Sequence, residues 1–302
     1  MDIFLPVAGV DVNLLLIIAA GVATGFAQGM LSIGGFLLTP LLIMMGISPE
    51  VAATATVCSI AGASVSGTIA HYKAGHVDIR MALLLLVGGV TGGGIGTALT
   101  KILSAMGDLD VVILICYAVF MAIMGISMFV GGLTSHVQGE AAEQRETGVQ
   151  RFLARLPFRT RFETAGVETS ALAPLLLGLL VGILAALMGV GGGFLMVPVL
   201  SSVLGMPMAV VVGTSIFRSF FTSSAITLMQ AAVNHNVDAI LAALLLLGST
   251  VGAQLGALTV KHLKASQLKV AFSLLVLAMS LKFLNDLLSA PTAFLVAMGV
   301  HR

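Results

Sequence analysis

Apolar runs long enough to cross a bilayer follow one another along this chain, with only a few polar residues between them. A hydrocarbon core about 30 Å thick takes roughly 20 apolar residues per helical span. Val51 to Ala70, Met81 to Thr100 and Val111 to Gly131 each meet that length. The strands of a membrane barrel alternate apolar and polar residues, whereas these runs are apolar on every side and so predict helices. With 9% charged residues and a mean hydropathy of +1.12, the chain lies far from soluble domains, of which about a quarter is charged. The expected fold class is an all-α polytopic membrane protein, with the lipid bilayer as its first partner.

One run does not fit a single helix. Val12 to Gly46 is too long for one span and too short for two, and Gly34-Gly35 divides it. Glycine costs about 1 kcal/mol relative to alanine in a helix interior, so the pair marks a break. The same Gly-Gly-Phe-Leu with a closing proline returns 158 positions later as Gly192-Gly193-Phe194-Leu195 and Pro198, answering Gly34 to Leu37 and Pro40. Val237-Asp238 repeats Val77-Asp78, and Gly248, Gly252, Gly256 and Lys261 repeat Gly88, Gly92, Gly96 and Lys101, at an offset near 160. Anchors that recur in one order predict a duplicated bundle. Residues 1–132 form the first transmembrane repeat, 133–170 a cytoplasmic linker and 171–302 the second repeat. The linker alternates Glu140, Glu143, Glu146, Glu163 and Glu168 with Arg145, Arg151, Arg155, Arg159 and Arg161. Within it Val149, Phe152, Leu153 and Leu156 fall at helical spacing, as in a short helix lying on the membrane surface or packed against the protein.

The distribution of Lys and Arg orients the halves, because cytoplasmic loops carry the excess. If each glycine-broken run dips in and returns, or crosses twice, ten loop cations share one side and Lys101 and Arg302 lie opposite; an odd crossing gives 8 to 4. The even count predicts two homologous repeats of inverted topology, both termini outside, each with a glycine-broken or re-entrant helix. Met1 to Gly9 has no basic n-region, so the first span is expected to act as its own membrane signal. Inverted repeats with broken helices are a design of secondary transporters, which bind substrate where the halves meet. Half-helices starting near Gly35 and Gly193 would aim exposed N–H groups and about half a positive charge toward the centre.

Arg218 lies about ten residues from either end of an apolar span. Placing arginine there costs at least about 2.5 kcal/mol, so it should face a cavity or a partner. Thr214, Arg218 and Thr222 share a helix face, with Ser215, Ser219 and Ser223 offset by one; the matching face of the first half carries Thr56, Ile60 and Ser64. A planar fork of donors among hydroxyls suits a small oxyanion. The other reading is a cap on backbone carbonyls or a carboxylate pair. The expected binding set is Arg218, Thr214, Ser215, Thr222, Gly191, Gly192, Gly193, Gly34, Gly35 and Thr56.

Other features point to packing or to no chemistry. The four-residue glycine spacing lets helix backbones approach. His71 and His235 sit near span ends, Gln28, Gln230 and Gln254 inside spans, and Cys58 and Cys116 stand alone without metal-ligand spacing. No paired carboxylates, nucleophile with base or metal cluster is present, so neither an enzyme nor a cofactor is expected. The net charge of +1, with cations in loops beside no aromatic array, predicts no nucleic-acid partner.

The stretch Gly189-Val190-Gly191-Gly192-Gly193-Phe194-Leu195-Met196-Val197-Pro198, followed by Gly213-Thr214-Ser215 and the Gly248 to Gly256 helix, resembles the sulfite exporter TauE/SafE family of bacterial membrane permeases. The resemblance covers nearly the whole chain. The first copy departs from it: Ser32 and Ile33 replace Val190 and Gly191, and Thr54-Ala55-Thr56-Val57 stands where Val212-Gly213-Thr214-Ser215 stands in the second. The resemblance implies movement of sulfite, sulfonates or related sulfur anions across the bacterial cytoplasmic membrane. The expected function is a secondary carrier for such an anion working by alternating access. A passive anion channel, or a carrier of another small organic anion, is the alternative. The sequence is compatible with a homo-oligomer.

Overall fold

A computed structural model describes residues 2–107, 109, 112–123, 126, 159–193, 196, 200, 204–259, 274, 277, 278, 280 and 281. Two short β-hairpins are present among the described residues, each just ahead of a helix. In the first, β1 (Asp2–Leu5) pairs antiparallel with β2 (Val10–Asn13), and the Gly9 N–H closes the turn onto the Leu5 carbonyl at 2.8 Å. In the second, β3 (Arg159–Phe162) pairs with β4 (Val167–Ser170), and the Gly166 N–H reaches the Phe162 carbonyl at 2.9 Å. Gly9 and Gly166 have φ of +67° and +66°, a left-handed turn conformation that glycine adopts without a Cβ clash.

The hairpins depart from a wholly helical fold and revise one expectation. Residues 159–170, read from the sequence as the end of the linker, form a structured hairpin. Their charges decorate its outer face, where Arg161 and Glu168 approach to 3.8 Å while both stay largely exposed, a pair worth little energetically. The helix expected around Val149 to Leu156 lies outside the described residues, as do Lys261 and Phe194.

Eight helices follow among the described residues, and local chemistry sets most of their ends. α1 (Leu14–Leu31) starts where the Asn13 side chain accepts from the Leu15 N–H at 3.1 Å, and stops at Ser32, which is left-handed at φ 59°. α2 (Gly34–Met44) follows directly. α3 (Pro49–Lys73) has proline at its first position, Glu50 in its first turn and His71 and Lys73 in its last, the arrangement that suits the missing N–H of proline and the helix dipole. α4 (Ile79–Met106) is capped by Asp78, whose Oδ1 accepts from the Met81 N–H at 3.0 Å. α5 spans Val112–Ile123. α6 (Leu172–Met188) ends at the left-handed Gly189. α7 (Met208–Val233) and α8 (Ala239–Thr259) complete the set, and Asp238 Oδ1 caps α8 by accepting from the Ile240 and Leu241 N–H groups at 3.1 Å each.

By length and composition α3, α4, α7 and α8 are able to cross a membrane. They divide by burial: 71% and 67% of the apolar windows of α3 and α7 are buried, against 44% for each of α4 and α8. The inner pair can therefore carry hydroxyls and a charge that a lipid-facing helix could not.

The helices and hairpins that frame the site lie in one compact unit, Met1–Lys101 with Gln144–Leu258. Here α3 and α7 run antiparallel. Glu50 at the start of α3 accepts from Asn236 just past α7, a Cβ on Gly67 would meet Ile216, and the Asp78 N–H donates to Thr214 near the start of α7. By contrast α1 runs parallel to α8, and α6 parallel to α4, each along a seam of glycines. Cβ atoms on Gly248, Gly252 and Gly256 would strike the carbonyls of Ile18, Val22 and Phe26, and those on Gly88, Gly92 and Gly96 would strike backbone at Leu175, Leu179 and Ile183. The expected packing role of these glycines is thus met. The second unit comprises Ile102–Glu143 and Thr259–Arg302, and in its α5 Ile113, Tyr117 and Met121 are buried on one face.

Two apolar cores occupy opposite ends of α3. One gathers Leu5, Ile17, Leu38, Leu42, Ile47 and Val51 with Leu241 and Leu245. The other gathers Phe162, Val181, Met196, Leu200, Met206 and Val211 with Met81 and Leu85. Each core thus mixes one half's hairpin with the other half's capped helix.

Candidate functional site

The two breaks meet, and they turn by different means. Gly189, Gly191 and Gly192 all have positive φ, between 65° and 73°, so the second break reverses the chain through left-handed glycines. In the first, Ser32 alone is left-handed, and Gly34-Gly35 already belong to α2. Those two glycines serve close approach: a Cβ on Gly34 would lie 2.1 Å from the Thr24 carbonyl oxygen, and one on Gly35 would lie 2.2 Å from Ile60 Cδ1 and 3.1 Å from the Val190 carbonyl oxygen. A Cβ on Gly193 would fall 2.1 Å from Ser32 Oγ, so the two reversals touch.

Arg218 reaches this junction from α7. It is fully buried, and its Nη2 donates to the Gly191 carbonyl at 3.0 Å while Ser219 Oγ donates to the same oxygen at 3.2 Å. Its Nε and Nη1 are buried with no hydrogen-bond partner, and among the described residues no carboxylate pairs with it. The expectation that the guanidinium holds a carbonyl is therefore met at one nitrogen, while the carboxylate pair is not found among these residues. An unpaired buried cation is costly; two donors left over beside the glycine break are what an oxyanion would satisfy.

The hydroxyls divide. Thr222 Oγ1 lies with Arg218 Nη1 against Gly89, where a Cβ would fall 2.9 Å and 3.3 Å from those atoms. Thr222, Ser215, Ser223 and Thr56 are all buried with unpartnered hydroxyls. Thr56 shares an α3 face with Ala53 and Ile60, against which Gly189 and Gly191 pack. Thr214 stands apart: its Oγ1 accepts the Asp78 N–H at 3.1 Å, committing it to the α3–α4 connection. Gly34 is also committed, because its N–H donates to Gln28 Oε1 at 3.0 Å. Gln28 thus acts as a cap for α2, and Gln28→Leu should cost about 1–3 kcal/mol by stranding a buried donor, read as a lowered melting temperature.

Two contributors were not among the expected residues. Ser219 lies on the stripe offset by one from Arg218 with Ser215 and Ser223, of which only Ser215 entered the expected set. Gly89 was hidden beside Gly88; the pairs Gly88-Gly89 and Gly92-Gly93 are the sequence signal that α4 presents two glycine faces, one to α6 and one to Thr222, Arg218 and Ile226 of α7. Near the first break a cavity of about 10 Å³ is lined by Thr24, Gln28, Gly34, Gly35, Ser59 and Ser249 among others. At the position matching Arg218 the first half carries Ile60, and both Cys58 and Cys116 are free thiols.

Comparison with known proteins gives a consistent set. The profile of the family described as "Sulfite exporter TauE/SafE" matches residues 17–283. A "Probable membrane transporter protein" of Xylella fastidiosa (strain 9a5c) is 28% identical over 274 residues, 89% of this chain and 94% of that protein. The "Probable membrane transporter protein YjnA" of Bacillus subtilis (strain 168) is 23% identical over 270 residues, 89% of this chain and 98% of its own length. No solved structure shows significant similarity to the chain.

Proposed function

This chain belongs to the sulfite exporter TauE/SafE family and is a membrane transporter, and from that membership we propose that it is a secondary carrier moving a small sulfur oxyanion or organosulfonate by alternating access. One observation carries the reading: Arg218, fully buried beside the touching glycine breaks, has Nε and Nη1 unpaired. Ser215, Thr222 and Thr56 add unpartnered hydroxyls, and Gly191, Gly192, Gly193, Gly34 and Gly35 let backbone come close. The role of Thr214 in this set is to hold the end of α3 against α7.

The halves are, in this reading, inverted repeats in the bacterial cytoplasmic membrane. Helices at equivalent positions, α3 and α7, run antiparallel, which supports it. α1 and α2 form a re-entrant pair. The Arg-rich linker is cytoplasmic, and the second repeat starts at the β3–β4 hairpin. Burial of Arg218 from both ends favours a carrier over a channel, which needs a continuous wet path.

A thermal-shift series on purified protein tests the reading. Sulfite, thiosulfate, sulfate, sulfoacetate and taurine are compared with carboxylates of similar size. A bound anion at a hundred times its Kd stabilises the fold by about 2.7 kcal/mol, so at least one sulfur anion should raise the melting temperature. A rise with carboxylates alone would move the assignment to another organic anion. Flux in proteoliposomes should be saturable and show counter-transport; single-channel currents would overturn the carrier.

A further inference from the structure

Asp78 and Asp238 are buried carboxylates that the anion site does not use, exposed by 3% and 0%. Each caps a helix with Oδ1, as described for α4 and α8. Each also spends Oδ2 on a hairpin from the other half: Asp238 Oδ2 accepts the Val7 N–H of the β1–β2 turn at 2.9 Å, and Asp78 Oδ2 accepts the Ala165 N–H of the β3–β4 turn at 3.0 Å. The two ties lie at opposite ends of α3.

Beneath each tie the packing repeats residue for residue. Leu5 and Phe162, the last residues of β1 and β3, are both fully buried. Leu5 packs in the core with Leu241 and Leu245, and Phe162 in the core with Met81 and Leu85, positions that match at an offset of 160. Each hairpin therefore closes one end of the bundle with an apolar plug, and a carboxylate oxygen ties it to the opposite half. Both ends are closed here, and Arg218 between them is sealed.

We infer that the β1–β2 and β3–β4 hairpins are the two gates of the molecule, and that Asp238 and Asp78 are the positioning residues that hold them shut. This rests on the alternating-access reading, which needs the ends to open in turn. A carboxylate latch over an apolar plug can open at one end while the other stays closed, because the two ties share no residue.

Asparagine is the informative substitution. Its oxygen still caps the helix, since Asn is among the best N-caps. Its amide presents a donor where the hairpin N–H needs an acceptor, so Asp238→Asn and Asp78→Asn release one latch each and keep the caps. Reporter cysteines Ile47→Cys and Met206→Cys, one in each end core, are introduced where Cys58 and Cys116 are replaced by serine. Labelling by a membrane-impermeant thiol reagent is followed from each face in oriented vesicles. Asp238→Asn should raise the labelling rate at position 47 at least tenfold from one face and leave position 206 unchanged, and Asp78→Asn should do the reverse from the other face.

Unchanged labelling in both variants, or a rise at both ends in either one, overturns the inference. Size-exclusion profiles and melting curves identify a misfolded variant; in that case a bismaleimide linking Val7→Cys to Val237→Cys takes its place, and it should suppress labelling at position 47 whenever that end opens in the unlinked protein, a difference whose absence overturns the inference. Because labelling needs no substrate, the two proposals fail separately. End-specific opening without any anion flux keeps the gates and removes the carrier reading, whereas anion flux with unaltered labelling removes the gates alone.

Discussion

Arg218→Gln should abolish anion binding and flux while leaving a folded protein at least as heat-stable as the original. The two halves of that expectation have one cause. The guanidinium is fully buried with Nε and Nη1 unpaired, so its charge opposes folding unless an anion pairs with it. A neutral amide removes this cost, and it can still donate to the Gly191 carbonyl that Nη2 reaches at 3.0 Å. With the anion present the balance inverts: losing one partner of a buried charge pair costs about 2–5 kcal/mol, roughly 30-fold to several thousand-fold in affinity. Thermal shift with and without sulfite, beside flux in proteoliposomes, measures both quantities. A variant that melts earlier yet transports normally would make Arg218 a structural cap of the glycine break. Arg218→Lys should fall between, because an ammonium keeps the charge but not the planar fork.

Gly92→Ala carries the largest expected loss of stability. A Cβ there would sit 2.0 Å from the Leu179 carbonyl oxygen and 2.8 Å from its carbon, and backbone cannot rotate aside as a side chain can. α4 and α6 would have to separate along a seam that also packs Gly178 and Gly182 against α4. Overpacking of this kind costs about 3 kcal/mol, a melting temperature lower by roughly 5 °C at this chain length. Gly94→Ala is the control on the same helix. Its Cβ would meet Met229 Sδ at 3.8 Å, an ordinary contact, and alanine is the better helix former by about 1 kcal/mol. Stability should stay level or rise. Equal losses at both positions would show that close approach at the α4–α6 seam does not govern the effect.

The seam also shows how far the sequence could be read. Four-residue glycine spacing marked Gly88, Gly92 and Gly96 as a packing face, and they pack on α6. It did not reveal the second face through Gly89 and Gly93, because one spacing describes one stripe and α4 is squeezed between two helices. The second hairpin was missed for a related reason. Ala165-Gly166-Val167-Glu168 repeats Ala8-Gly9-Val10-Asp11, but the surrounding Arg and Glu residues made the segment look like solvated linker. Backbone pairing there is indifferent to the charges, which point outward.

Hydropathy and glycine spacing by themselves determined that this chain is a helical membrane protein whose sequence anchors recur in order, and that Arg218 sits where a charge must be accounted for. These are properties of one segment at a time: the length of an apolar run, the face of a helix, the cost of a charge away from water. Only the tertiary structure decided what Arg218 meets. Gly191 lies 27 residues away in sequence and offers its carbonyl; Thr214, on the same face as Arg218, is withdrawn by Asp78 at a separation of 136; and each hairpin is tied to the opposite half. Such partners are set by how separate helices pack, and no local pattern encodes them.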